Sequence, residues 1–96
     1  MFGYVCYTSI RRVRSEFAAV KNPASVAAFG VHLRKLREAR GWSQQALADY
    51  ADVAKLTVQR IEHAKGAPTL DVLVSLARAL QVSLPELMDF AESPAV

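Results

Sequence analysis

Cysteine is nearly absent from this chain, with one, Cys6, in 96 residues. A single thiol cannot close an intrachain disulfide, so nothing in the sequence calls for an oxidising compartment. Long apolar runs are missing too: none approaches the roughly 18 to 20 residues that span a bilayer. The opening MFGYVCYTSI precedes the basic RRVR rather than following it, the reverse of a secretory leader. The expectation is a cytoplasmic protein with no membrane segment. Also missing are a glycine-rich phosphate loop, a nucleophile beside an evident base, and carboxylates paired at a useful spacing. His32, His63 and Cys6 lack metal-ligand spacing. The chain is therefore expected to be no enzyme and to hold neither metal nor cofactor.

What is present is enough apolar material, 52% of residues, for one small core. The net charge of +3 hides an uneven distribution. Residues 1 to 66 carry eleven Lys or Arg against five Asp or Glu, whereas residues 67 to 96 carry one against four. A field divided in this way favours an anionic partner for the first two thirds of the chain, and nucleic acid is the commonest such partner.

The clearest periodicity begins after NPAS, where Asn22 can cap a helix with Pro23 at its first position. Val26, Phe29, Leu33 and Leu36 recur at helical spacing, Arg34, Lys35, Glu38 and Arg40 lie off that stripe, and Gly41 ends the helix. Ser43 caps a second helix, QQALADYA, with Leu47, Ala48 and Ala51 inward. The third lies in ADVAKLTVQRIEHAKG, at about residues 54 to 64. Thr69 caps a fourth with Leu70, Leu73, Leu76, Ala77 and Leu80 as its stripe. Ser83 and Glu86 have the spacing of a capping box for a fifth, whose apolar contacts are Leu84, Leu87 and Met88.

Residues 22 to 90 thus read as one compact, all-α, five-helix domain, followed by a C-terminal tail at 91 to 96. Residues 1 to 21 stand apart as an N-terminal extension. YVCYTSI is rich in strand-forming residues but has no strand to pair with, which leaves a strand completed by a second subunit or a mobile arm.

On a helical wheel, Lys55, Leu56, Gln59, Arg60 and His63 fall within roughly 140° of one another, and Ala54, Val58 and Ile61 lie opposite. Leu56 is the informative residue, because an apolar side chain in the middle of a polar face gains little unless something covers it.

The stretch SQQALADYADVAKLTVQRIEHAKGAPTLDVLVSLARALQVSLPELM resembles the helix-turn-helix domains of the Xre, Cro and phage-repressor family, over about residues 27 to 88. Gln44, Ala48, Val53, Val58 and Ile61 occupy positions of the family motif. The resemblance implies a lambda-repressor-like domain that inserts its third helix into the major groove of double-stranded DNA. It implies Lys55, Leu56 and Arg60 as base readers, with Gln59 a less regular one. Their chemistry suits the task. Arg60 can pair with guanine O6 and N7, Gln59 with adenine, and Leu56 can cover a thymine methyl. Thr57 and Lys65 are suited to phosphates, and Gln44 to a phosphate or an adjacent base.

The function implied is a sequence-specific transcriptional regulator, a homodimeric repressor or autoregulator binding an inverted repeat. The alternative is a protein-interaction module, such as an antitoxin-like partner or a restriction-modification controller. Leu84, Leu87, Met88 and Phe90 are candidates for a dimer surface or for finishing the core. Trp42 is expected to pack beneath the first turn of the second helix. Arg37 and Glu62 match a pair that braces some members of the family, and here they read equally well as a weak surface pair.

Four departures from the family pattern bear on the third helix. Asp52 stands at a turn position usually filled by Gly, and Ala54 replaces a Ser or Thr cap, leaving Asp52 as an alternative cap. Ala46 replaces a Glu, and Ala64 replaces the Gly that often ends this helix.

Overall fold

A computed structural model describes residues 20–90 of the chain. Within them lie five helices: α1 (Pro23–Ala39), α2 (Gln44–Ala51), α3 (Lys55–Glu62), α4 (Leu70–Leu80) and α5 (Leu84–Leu87). The all-α, five-helix architecture is the one expected. The readings of residues 1 to 19 and of the 91 to 96 tail fall outside the described residues.

Helix starts follow local chemistry. The Ser43 hydroxyl accepts from Ala46 N–H, and Thr69 does the same for Val72. At α5 the capping box is complete, with Ser83 and Glu86 satisfying each other's backbone N–H. Asn22 occupies the capping position of α1 without a side-chain bond, and Pro23 alone sets that entry. Ala54 precedes α3 in an extended conformation and contributes no cap.

Four helices end alike. The residue after each helix end folds back so that its N–H reaches a carbonyl five residues earlier: Trp42 to Arg37, Val53 to Ala48, Lys65 to Arg60 and Val82 to Ala77. The residue preceding each of these is left-handed: Gly41 (φ 72°), Asp52 (φ 58°), Ala64 (φ 56°) and Gln81 (φ 58°). Asp52 therefore closes α2 rather than capping α3. Ala64 stops α3 at Glu62, about two residues short of the end expected from sequence.

The core is built from Phe29 and Leu33 of α1, Leu47, Ala48 and Ala51 of α2, Val58 and Ile61 of α3, Leu76, Ala77 and Leu80 of α4, and Leu87 of α5. Three apolar residues depart from expectation. Leu70 is 67% exposed, because at the first position of α4 the stripe has already run past the core. Met88 is exposed as well. Ala54, being extended rather than helical, is exposed instead of facing inward with Val58.

Leu87 is fully buried, and Leu84 and Phe90 pack against the core, so these candidate dimer residues complete the monomer. Phe90 lies 5.7 Å from Phe29 and 6.1 Å from His32, ring centre to ring centre. Trp42 does pack, but its ring partner is Tyr50 near the far end of α2, stacked at 4.4 Å. Arg40 lies over the same indole and donates to Leu80 O, tying the end of α1 to the end of α4.

Candidate nucleic-acid interface

The orientation of α3 comes from its inner face. Val58 and Ile61 are buried, and Gly30 of α1 lets the two helices approach backbone to backbone. A Cβ at Gly30 would lie 2.5 Å from Ile61 O, closer than a real Cβ comes to a carbonyl oxygen, and 3.2 Å from Glu62 O. A helical Gly costs about 1 kcal/mol relative to Ala, and this contact explains its presence. Sequence reading passed over Gly30, because a glycine inside a periodic stripe signals nothing about the element packed against it.

About two turns along α1, Arg37 grips Glu62, the last residue of α3. Nε donates to Oε2 at 2.7 Å and Nη2 to Oε1 at 3.0 Å, and Nη1 donates to Trp42 O at 2.7 Å. The reading of this pair as weak and exposed is overturned, since Arg37 is 8% exposed and the Glu62 side chain 2%. The hydrogen bond to Glu62 raises the Arg37 guanidinium above its ordinary value against the opposing effect of burial, so it stays charged. Gln44, the first residue of α2, donates from Nε2 to Glu62 Oε1 at 3.1 Å. Three helices therefore converge on one carboxylate at the end of α3.

The outer face is different in kind. Leu56, Gln59 and Arg60 line one open concavity, which continues over His63 and Lys65. Lys55 is exposed at the start of α3, Leu56 is 53% exposed, Arg60, His63 and Lys65 are exposed, and Thr57 and Gln59 are half-buried. Among the described residues the side chains of Lys55, Thr57, Gln59, Arg60, His63 and Lys65 make no hydrogen bond or ion pair. The structure thus brings Leu56, Gln59, Arg60 and Lys65 to one concavity, with Lys55 and Thr57 on the same short helix. Gln44 is set apart by its bond to Glu62, which leaves its carbonyl oxygen and one N–H available. His63, on the exposed face but outside the expected set of contacts, belongs to the concavity as well.

Chemically, this surface offers four cationic or donor groups around one apolar side chain, on a helix with no acidic residue in its first turn. It is suited to an anionic surface that also presents hydrogen-bonding edges and methyl groups.

Comparison with known proteins agrees with that chemistry. A family model described as "Helix-turn-helix" matches residues 33–87. The chain is 36% identical over 55 residues to an SPbeta prophage-derived uncharacterized HTH-type transcriptional regulator, YonR, of Bacillus subtilis. It is 31% identical over 64 residues to the competence pilus inhibition repressor of Acinetobacter baylyi. These matches take in 57% and 67% of this chain but 51% and 58% of those proteins, so the chain spans little more than half the length of either.

Among solved structures, the restriction-modification controller protein C.AhdI from Aeromonas hydrophila is 34% identical, with a TM-score of 0.65 over 67% of this chain and 97% of that one. The hypothetical transcription factor NHTF from Neisseria, 23% identical with a TM-score of 0.62 over 81% of this chain and 83% of that one, shares the fold.

Proposed function

Because the chain belongs to the Xre- and phage-repressor-type helix-turn-helix family, we propose that it is a sequence-specific regulator of transcription that binds double-stranded DNA through α3. The observation that carries this reading is the outer face of α3. Its donors are unpaired among the described residues and surround an exposed Leu56, on a helix held rigidly from behind by Arg37 and Glu62. Lys55, Leu56, Gln59 and Arg60 face base edges in the major groove, while Thr57, Lys65 and the remaining N–H of Gln44 meet phosphates. The protein acts in the cytoplasm and has no catalytic role.

One α3 supplies few bidentate contacts, each giving about 1–3 kcal/mol of discrimination. A homodimer on an inverted repeat, with half-sites one helical turn apart, doubles the readout. Bound over a promoter, it represses by occlusion. The likeness to a restriction-modification controller gives a second reading, that of a controller of a restriction-modification system. The exposed Leu70 and Met88 offer apolar surface for a protein partner.

Selection of bound duplexes from a random library at near-physiological salt, run in parallel with Arg60→Ala, tests the proposal. Enrichment of an inverted repeat, with one symmetric position relaxed by the substitution, is expected. If the wild-type protein enriches nothing, α3 does not read DNA.

A further inference from the structure

Leu56 and Arg60 are four residues apart on α3, so their backbones are about 6 Å apart along the axis. Side chains of a helix lean back over the preceding turn, and a long side chain at position 60 therefore sends its head group over position 56. Both residues are exposed and line the same concavity, and Arg60 is free of any hydrogen bond or ion pair among the described residues. A planar donor fork thus lies beside the one apolar side chain of the reading face.

From this juxtaposition we infer that α3 reads a C5-methylated pyrimidine next to a guanine, with Leu56 covering the methyl group and Arg60 pairing with guanine O6 and N7. The inference rests on the DNA-binding reading above and narrows its ligand. In the major groove the C5 methyl is what thymine has and cytosine lacks. Methylation of cytosine at C5 supplies the same group, so 5-methylcytosine and thymine are two sources of one feature. Binding then responds to cytosine methylation of the site wherever a cytosine takes the thymine's place. Gln59 and Lys65, which line the same concavity, are polar and give no cover to a methyl group.

The test uses the full chain and a duplex chosen by the selection described above. At the pyrimidine beside the Arg60-dependent guanine, two matched pairs are compared: thymine against uracil opposite adenine, and 5-methylcytosine against cytosine opposite guanine. Within each pair only the methyl group differs. The wild-type protein is expected to bind the methylated member about fourfold more tightly, the effect of burying one methyl group. Leu56→Ala is expected to bind the two members of each pair equally.

Equal affinity within both pairs overturns the inference, as does a methyl preference that survives in Leu56→Ala. A gain at thymine alone removes 5-methylcytosine from the ligand class. Failure of the selection to enrich any duplex has a different meaning, since it strikes the DNA-binding reading itself.

Discussion

The two faces of α3 are built on opposite principles. Toward the protein, Val58 and Ile61 are sealed in the core, and Glu62 accepts from both Arg37 and Gln44. Toward solvent, Lys55, Gln59, Arg60 and His63 hold polar head groups for which the described residues offer no partner. An eight-residue helix has little stability of its own. Its direction is therefore set by the first face, and what it touches is decided by the second. Substitutions ought to separate the two: inner-face changes lower stability and take binding with them, while outer-face changes alter binding and spare the fold.

Glu62→Ala offers the most severe way to break this division. It strands a buried guanidinium and removes the acceptor of Gln44, at a cost of about 3–5 kcal/mol. For a domain whose whole stability is of the order of 5–15 kcal/mol, that approaches unfolding. Urea denaturation measures it. A loss below about 1 kcal/mol is the value of a surface pair, and it would mean that the inner face is not held as the geometry indicates.

Gly30→Ala follows. The added methyl meets backbone carbonyls, which cannot rotate away as a side-chain end can, so α1 has to retreat from α3. The expected loss is about 1–3 kcal/mol, although Ala is the better helix former. A neutral result would show that the two helices slide apart freely. Arg60→Ala lies on the other side of the division. Its effect on stability is expected within about 0.5 kcal/mol of zero, while operator affinity falls by about 1–3 kcal/mol and specificity relaxes at one base pair per half-site. If Arg60→Ala unfolds the protein, the outer face is structural and the contrast collapses.

The pattern of legibility follows the same line. Apolar stripes and caps report on the element that carries them, and so Leu33, Leu47, Leu76, Ser43, Thr69 and the Ser83–Glu86 box could be read directly from sequence. Gly30 and Arg37 mean nothing without the helix opposite: one makes room for Ile61 O, and the other is buried only because Glu62 meets it. Leu70 fits its stripe and yet is exposed, because periodicity specifies direction around a helix and not how far along it the core extends. The exposed outer face of α3 was legible because a polar arc with Leu56 at its centre is a feature of α3 alone. The bond that engages Gln44 was not, since it spans two helices.

The smallest expected effect sharpens the comparison at the seam between the faces. Of the four left-handed residues that close helices, Gly41 alone has no Cβ. Asp tolerates the left-handed region better than Ala, because its short polar side chain can bond locally. Ala64 and Gln81 therefore bear the greater strain, and Ala64→Gly is expected to stabilise the domain by about 0.5–1 kcal/mol, the relief of the Cβ clash less the added flexibility of the unfolded chain. Asp52→Gly should gain less. Ala64 lies between His63 and Lys65, both lining the concavity, yet its own methyl is not part of that lining. If orientation and reading are separate, Ala64→Gly raises the thermal midpoint by a few degrees and leaves operator affinity where it was. A more stable protein that binds its operator less well would show instead that DNA binding draws on the strained end of α3, with Ala64 turning helical as His63 and Lys65 close on the duplex.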